Sequence, residues 1–213
     1  MKVSAIIPVK TFSKAKTRLN LSSQKKEDLC KIMLEEVLTT ISNSKQFEKI
    51  VVVSKDEEAL KISKQYDATQ IFDHDESGVN HAVSLADDYL AKLDFNTSVV
   101  FPQDIPFMHK QDIENLLKFQ SSSKNVLVVP SMRFDGTNAL LRTPLDIMET
   151  HYDEDSYKIH IDVGKSRTNR TSMILIRRIM LDVDNTDDFE FFYNIDKPLL
   201  YNKFKKLGLL ADY

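Results

Sequence analysis

The chain has 213 residues, of which 42% are hydrophobic and 29% charged, with a formal net charge of -3. These values are typical of a globular protein, and we expect a single domain over residues 1–213. The slightly acidic balance argues against a nucleic-acid-binding surface, and no run approaches the ~18 apolar residues of a membrane span. We therefore expect no nucleic acid and no membrane among the partners.

The chain contains a single cysteine and few glycines. Cys30 can form no disulfide within the chain, which is typical of the reducing cytoplasm, and its apolar neighbours predict a core position. Four glycines do not supply the glycine-rich turn of a dinucleotide-binding fold or a P-loop. We therefore expect a cytoplasmic protein that is neither a Rossmann dehydrogenase nor a P-loop kinase.

Apolar runs alternate with amphipathic stretches along the first part of the chain. Strands are predicted at 3–9, 50–53, 69–72, 98–102 and 126–130, and helices at 24–41, 57–66, 79–93 and 110–119. Pro8 is expected to end the first strand, because proline donates no hydrogen bond to a sheet. This order predicts an α/β fold, with a mostly parallel central sheet and helices on both faces.

The loop after the first strand is strongly basic. The first 26 residues carry seven Lys and Arg side chains and no acidic one. Open α/β sheets bind ligands at the carboxyl ends of their strands, so this loop is predicted to hold a polyphosphate. A solvated basic loop remains the alternative.

Two further segments follow predicted strands. Gly78 and Asn80 stand at the start of a helix, where they are predicted to contact a base or ribose, or simply to form the helix start. Asp104 follows the fourth strand, where a carboxylate can hold a divalent metal on a phosphate. The alternative for Asp104 is a turn residue before Pro106.

The second half of the chain contains one sharp turn and one segment without clear periodicity. Thr137 and Asn138 follow Gly136, and this turn is predicted to contact substrate, with a plain hairpin as the alternative. Residues 150–171 are polar and poorly periodic. This segment is expected to form either a wall over a small anionic substrate or a surface excursion.

Asp182 and Asp184 are separated by one apolar residue. In a strand they would project to the same side, where two carboxylates repel unless a cation joins them. Thr186 is predicted to cap a following helix that has Asp187 and Asp188 in its first turn. This set of acids and bases suits metal-dependent nucleotidyl transfer, which relies on positioning and charge neutralisation.

Several motifs occur in one order along nearly the whole chain. They are Pro8-Val-Lys10, Ala15-Lys-Thr-Arg-Leu19, Gly78-Val-Asn80, Gln103-Asp-Ile-Pro106, Gly136-Thr-Asn-Ala-Leu140, Ser156-Tyr with His160, and Leu181-Asp-Val-Asp184. In the residues and the order of these motifs, the sequence resembles the 2-phospho-L-lactate guanylyltransferases of coenzyme F(420) biosynthesis and their phosphoenolpyruvate-using relatives. The Gly-Thr-Asn-Ala-Leu segment is the most specific of these similarities.

The resemblance implies a fold like that of the nucleotide-diphospho-sugar transferases. It also implies that GTP and a phosphorylated three-carbon acid give a guanosine diphospho-acid and pyrophosphate. The implied nucleotide-binding residues are Pro8, Lys10, Lys16, Arg18, Gly78 and Asn80, and those for the acid are Thr137, Asn138, Asp153 and Ser156. Mg²⁺ is expected on Asp104, Asp182 and Asp184, and the implied catalytic residues are Lys10, Lys16, Arg18 and Asp104. Lys14 is left as a solvated side chain.

The chain departs from the family pattern before Ser156. The family has a glycine where this chain has Asp153, inside an acidic stretch that would repel an anionic acid unless it points away. The alternatives are a sugar nucleotidyltransferase or glycosyltransferase of the same fold, and a non-catalytic nucleotide-binding protein. A homodimer is left open.

Overall fold

The computed structural model describes residues 2–152, 155–194 and 196–210. Within these ranges the chain forms one sheet of seven strands. The strands are β1 (Val3–Val9), β2 (Lys49–Ser54), β3 (Thr69–Phe72), β4 (Thr97–Val100), β5 (Asn125–Pro130), β6 (Thr137–Thr143) and β7 (Thr171–Met173). Their order is β3-β2-β1-β4-β6-β5-β7, and β6 alone among these strands runs antiparallel to its neighbours. The prediction of a mostly parallel sheet is confirmed.

Helices cover both faces of the sheet, as predicted. They are α1 (Ser23–Ser44), α2 (Glu57–Lys64), α3 (Val79–Ala91), α4 (Lys110–Lys118), α5 (Ser156–Arg167), α6 (Arg177–Met180) and α7 (Pro198–Lys206). Buried side chains of α1, α2, α4, α6 and α7 share one apolar cluster, and those of α3 belong to a second cluster on the opposite face, against which α5 also packs. No helix in the described ranges is long and apolar enough to cross a membrane.

The first helix forms as its sequence predicts. The Ser22 hydroxyl accepts a hydrogen bond from the Lys25 amide at 3.4 Å, which caps the helix. The apolar stripe of α1 is buried against the sheet, and Cys30 is fully buried within it. Burial raises the pKa of the Cys30 thiol to about 12, so this side chain is a core residue, as predicted.

Pro8 does not end the first strand, contrary to the prediction. It pairs in register with Val53 of β2, and β1 continues to Val9. The Ile6 carbonyl accepts from Phe101 on the β4 side, and β4 itself ends at Val100. Two residues further along, the Pro8 nitrogen faces the same side, where β4 has already ended, so its missing N–H breaks no ladder bond.

The poorly periodic segment contains a helix. Its buried residues are Ser156, His160 and Gly164, spaced four apart, and all three are polar or lack a side chain. A search for apolar periodicity misses such a helix, because its buried face is not hydrophobic. The described part of this segment therefore packs as regular structure on β5 and β7.

Candidate active site

A cavity of about 220 Å³ lies at the carboxyl ends of β1 and β4. Its wall includes Pro8, Lys10, Gly78, Asp104 and Thr137, which sequence analysis had selected from distant segments. Thr137 reaches the same edge because β6 runs antiparallel and begins there. The crevice thus lies where open α/β sheets bind ligands.

Gly78 and Asn80 have different surroundings. Gly78 has a φ of +104°, and a Cβ there would meet nothing within 4 Å, so the backbone conformation accounts for the glycine. The Asn80 side-chain oxygen accepts from the Tyr152 amide at 2.8 Å. It lies on the wall of a neighbouring cavity with Asp87 and Arg142. Asn80 therefore fixes the segment ahead of α5, and its contact with a nucleotide stays a prediction.

Lys16 lies at the centre of the charged part of the site. Its ammonium donates to Asp104 Oδ2 at 2.6 Å and to Asp184 Oδ1 at 2.8 Å, and its side chain is 6% exposed. Burial alone would lower the pKa of Lys16, but the two carboxylates outweigh burial and raise it. Lys16 therefore stays protonated and joins the loop after β1 to the acidic segment near the chain's end.

The acidic segment belongs to no strand, which corrects the prediction for Asp182 and Asp184. Val183 is fully buried, and its amide donates to the Asp104 carbonyl at 3.0 Å. Burial, followed by the charge of Asp104, raises the pKa of Asp182 to about 7. For Asp184 burial acts in the same direction, but Lys16 overcomes it, and the pKa is lowered. Asp182 and Asp184 are thus partly exposed on either side of the buried Val183, although the segment pairs with no strand of the sheet.

Asn138 holds Asp182 in place. Val129 pairs with Ala139 and Pro130 with Thr137, so Asn138 is the extra residue of a β-bulge. Its amide donates to the Ile179 carbonyl at 3.1 Å and to Asp182 Oδ1 at 3.0 Å. Asn138 therefore orients an acidic side chain, and its contact with substrate stays a prediction.

Two residues that sequence analysis did not place in the site also bind this acidic segment. The Arg133 guanidinium lies 3.7 Å from Asp182 and 3.8 Å from Asp184, and it donates to Asp188 at 2.5 Å. Asp188 also accepts from the Asp184 and Asn185 amides, at 2.7 and 2.9 Å. Asp188 therefore lies in the first turn of the 3-10 helix Thr186–Asn194, as predicted. The prediction that Thr186 caps this helix is wrong, because Thr186 is its first residue and the Asn185 side-chain oxygen accepts from the Asp187 amide at 3.0 Å.

The other basic side chains of the first loop are more exposed. Arg18 is 78% exposed and lies 3.9 Å from Asp184, and Lys10 is an exposed residue on the cavity wall. Lys14 is exposed, as predicted, but it forms an ion pair with Glu76. Glu76 also accepts from the Thr11 amide at 2.8 Å, so it ties the basic loop to the segment before α3.

Thr137 belongs to a buried hydrogen-bond network. Its hydroxyl oxygen lies 3.0 Å from His160 Nδ1 and accepts from the Ser156 hydroxyl at 3.1 Å. His160 Nε2 in turn accepts from the His151 amide at 2.8 Å. The structure thus brings Thr137 and Ser156 together, as predicted. Asp153, the other residue predicted for the acid, lies outside the described residues.

The carboxylates have the chemistry of a magnesium site. Hard oxygen ligands suit Mg²⁺, and a cation would relieve the repulsion between Asp104 and Asp182. In the described ranges, however, no three His, Cys, Asp or Glu side chains are arranged to hold a metal ion. The ammonium of Lys16 occupies the space between Asp104 and Asp184 instead.

Gln103 leaves one polar atom without a partner. Its side-chain oxygen is buried and accepts no hydrogen bond in the described part of the chain. A buried polar group without a partner costs about 1–3 kcal/mol. Gln103 lies on the cavity wall beside Asp104.

The fold is of the nucleotide-diphospho-sugar-transferase type. A protein from Desulfovibrio desulfuricans described as a nucleotide-diphospho-sugar transferase superimposes with a TM-score of 0.72 at 14% identity, covering 97% of both chains. A cytidylyltransferase from Leptospira borgpetersenii gives a TM-score of 0.61 at 16% identity, covering 100% of this chain and 99% of its own. The predicted fold type is confirmed.

The family follows from the sequence. A model of the family described as guanylyl transferase CofC like matches residues 3–212, and the chain belongs to that family. The resemblance inferred from the motifs is therefore confirmed, as is the prediction of a nucleotidyltransferase.

Relatives with three different acid substrates in their names are about equally similar. The 2-phospho-L-lactate guanylyltransferase of Methanobrevibacter smithii is 30% identical, covering 87% of this chain and 81% of its own. The phosphoenolpyruvate guanylyltransferase of Conexibacter woesei is 30% identical, covering 89% and 86%. The 3-phospho-D-glycerate guanylyltransferase of Colwellia psychrerythraea is 29% identical, covering 93% and 95%. Overall identity therefore does not distinguish between the acids.

Proposed function

We propose that this protein transfers GMP from GTP to a phosphorylated three-carbon acid and releases pyrophosphate. The observation that carries the proposal is that Asp104 shares a cavity wall with Lys10 and Thr137 and also accepts from Lys16, which links it to Asp184. Membership of the guanylyl transferase family supports the choice of nucleotide. The resemblance of the motifs to the phospholactate enzymes supports a role in coenzyme F(420) biosynthesis as part of this proposal.

The reaction needs little acid–base chemistry. A phosphate oxygen of the acid attacks the α-phosphorus of GTP, a new P–O bond forms, and the bond to the β-phosphate oxygen breaks. The electron pair leaves with pyrophosphate, and the attacking oxygen is already ionised at neutral pH. Catalysis then depends on positioning two anions and neutralising their charge.

The basic loop supplies part of that neutralisation. Lys10 and Arg18 are exposed, so a triphosphate can reach them, whereas Lys16 is buried against Asp104 and Asp184. We expect Lys16 to exchange these carboxylates for phosphate oxygens when the nucleotide binds. Such an exchange keeps the ammonium paired in both states, which avoids the cost of an unpaired buried charge.

Asp104, Asp182 and Asp184 would hold Mg²⁺ once Lys16 has moved. The ion would supply a positive charge for the phosphate oxygens as negative charge develops on them. Asn138 and Arg133 keep the acidic segment in position for this role. The proposal predicts that GTP turnover requires a divalent cation.

The acid is expected to bind beside Thr137. This residue lies on the cavity wall near Asp104, and Ser156 and His160 support it from α5. A carboxylate is a strong hydrogen-bond acceptor and suits a hydroxyl donor at this position. The names of the relatives indicate phospholactate, phosphoenolpyruvate and phosphoglycerate as the acids to test.

Pyrophosphate release tests the proposal. We expect release from GTP only when Mg²⁺ and one of the three phosphorylated acids are both present. A preference for UTP or CTP with a sugar phosphate would overturn the assignment in favour of a sugar nucleotidyltransferase. GTP binding without turnover across all three acids would instead support a non-catalytic nucleotide-binding protein.

A further inference from the structure

The network behind Thr137 fixes the position of one proton. His160 is fully buried on α5, and its Nε2 lies 2.8 Å from the His151 backbone nitrogen. A backbone amide can only donate, so Nε2 must accept this hydrogen bond. In a neutral imidazole the proton then lies on Nδ1, the nitrogen that faces Thr137.

The imidazole is neutral in the folded protein. Burial, and next the charges of His151 and Arg142, lowers the pKa of His160 to about 3. A protonated ring would also place a hydrogen on Nε2, opposite the His151 amide. The tautomer is therefore fixed by the backbone, and the ring adds no charge to the site.

The hydroxyl of Thr137 is left with one orientation. Its oxygen accepts from His160 Nδ1 at 3.0 Å and from the Ser156 hydroxyl at 3.1 Å. A hydroxyl oxygen has two lone pairs, and both are used by these donors. The Thr137 proton has no acceptor in the part of the chain that the structure describes, and Thr137 lies on the cavity wall.

We propose that His160 is a positioning residue that holds the Thr137 hydroxyl as a hydrogen-bond donor for an acceptor oxygen of the phosphorylated acid. The inference rests on the proposed function and adds the residue that sets the polarity of the acid site. Thr137 can donate to a carboxylate or phosphate oxygen but cannot accept from a ligand. Ser156 acts through Thr137, since its proton is already engaged.

Steady-state kinetics of variants test the network. In Thr137→Val we expect the KM for the acid to rise about 10- to 100-fold, the scale of one hydrogen bond to a charged group. In His160→Leu the KM for the acid should rise about tenfold, because the hydroxyl is free to turn away. In both variants the KM for GTP should stay within about twofold of the wild-type value, because the lost hydrogen bond is to the acid and not to the nucleotide.

Rescue and coupling separate positioning from simple packing. The amide of His160→Asn can donate close to the Nδ1 position and should recover most of the acid affinity lost in His160→Leu. The double variant Thr137→Val/His160→Leu should lose little more than Thr137→Val alone, because both changes remove the same donor. Asp162→Asn, on the exposed side of α5, is the matched control.

The tautomer is measured without any substrate. Nitrogen NMR of the ¹⁵N-histidine-labelled wild-type protein, assigned by loss of one signal in His160→Asn, should show His160 neutral with its proton on Nδ1. A protonated ring or an Nε2 proton at neutral pH would overturn the inference. So would a rise in the KM for GTP instead of that for the acid.

The two proposals fail in distinguishable ways. Absence of turnover with all three acids would remove the proposed function, while the NMR experiment still decides the orientation of the network. Turnover with unchanged acid KM in folded His160→Leu would remove the positioning role and leave the guanylyltransferase intact. Circular dichroism of each variant establishes that it is folded.

Discussion

Lys16 has two neighbours that only the folded chain supplies. Asp104 lies 88 positions away in sequence and Asp184 lies 168 away, yet both accept from its ammonium. Sequence analysis selected all three residues but assigned the lysine to phosphate and the aspartates to metal. Their direct contact was not foreseen, because motif spacing carries no distance between segments.

Removing the Lys16 ammonium should destabilise the protein. In Lys16→Met two carboxylates lose their cation, so we expect unfolding free energy to fall by about 1–3 kcal/mol, less than the ~3–5 kcal/mol of a fully buried pair. The expected loss is smaller than for a fully buried pair because the side chains of Asp104 and Asp184 are 23% and 32% exposed. Urea unfolding at neutral pH measures the change.

Lys14→Met is the control for this variant. Its ion pair with Glu76 involves a lysine side chain that is 59% exposed, and such pairs contribute less than about 1 kcal/mol. Added MgCl₂ should stabilise Lys16→Met more than wild type, because the carboxylates are then free for the ion. Equal losses in the two variants, with no difference in the response to MgCl₂, would contradict the central role of Lys16.

His160 should make stability depend on pH. Its pKa falls from 6.5 to about 3 on folding, so between these values the unfolded chain binds more protons than the native protein. Stability therefore falls as pH decreases from 6.5 towards 3, with a contribution of roughly 2 kcal/mol lost at about pH 5. This loss should be absent from His160→Asn.

Urea unfolding of wild type and His160→Asn, compared between about pH 8 and pH 5, isolates this contribution because the other groups titrate in both proteins. His74→Asn serves as the control, since His74 is exposed. Parallel pH profiles for wild type and His160→Asn would show that His160 does not bind its network as a neutral ring.

At the scale of elements, the sequence predicted the regular segments well where hydrophobicity controls burial. The bounds of α1, α3 and α4 lie within three residues of the predicted ones. The sequence pattern did not predict helix α5, because its buried residues are Ser156, His160 and Gly164, none of which is a large apolar side chain. It also assigned a strand to the segment of Asp182 and Asp184, which belongs to no strand of the sheet. Pairing between distant segments is not encoded in local pattern.

Helix α5 packs so closely on the sheet that Gly164 has no room for a side chain. An added Cβ would lie 2.9 Å from Thr171 Cγ2 and 3.0 Å from Val126 Cγ1. Overpacking in Gly164→Ala should cost about 1–3 kcal/mol, and alanine recovers ~1 kcal/mol in a helix, so we expect a net loss of up to about 2 kcal/mol. Since α5 also carries Ser156 and His160, the KM for the acid should rise.

Gly136→Ala is the matched comparison for the helix. A Cβ there would lie 3.7 Å from Ser131, an ordinary contact, which also shows that Gly136 is not needed for a close approach to protein atoms. Thermal unfolding and acid KM of both variants provide the test. A stability loss for Gly136→Ala equal to that for Gly164→Ala would contradict the packing argument.

At the scale of the whole molecule, the sheet order explains why the site forms. The antiparallel strand β6 lies between β4 and β5, so the start of β6 reaches the carboxyl end of β4. Thr137 and Asp104 therefore share one cavity. The sequence predicted a parallel sheet and a turn after β5, but the insertion of β6 between two earlier strands depends on tertiary pairing that local patterns do not specify.

The proposed function gives different tasks to the two sides of Asp104. On one side Lys16 and Asp184 concentrate charge and line a separate cavity with Arg18, and on the other the neutral His160 network presents the Thr137 hydroxyl on the wall of the cavity that also includes Asp104. A nucleoside triphosphate suits the charged side, and an acid that carries both a carboxylate and a phosphate suits the space between Asp104 and Thr137. This division favours joining two anionic substrates over simple hydrolysis of one.

The central claim is that the protein transfers GMP from GTP to a phosphorylated three-carbon acid. The most direct test is mass spectrometry of the products formed from GTP with each of the three acids in the presence of Mg²⁺. We predict a guanosine diphospho-acid with one equivalent of pyrophosphate for at least one acid, and a rate about 100-fold lower or less in Asp104→Asn. No conjugate with any of the acids, or an undiminished rate in Asp104→Asn, would contradict it.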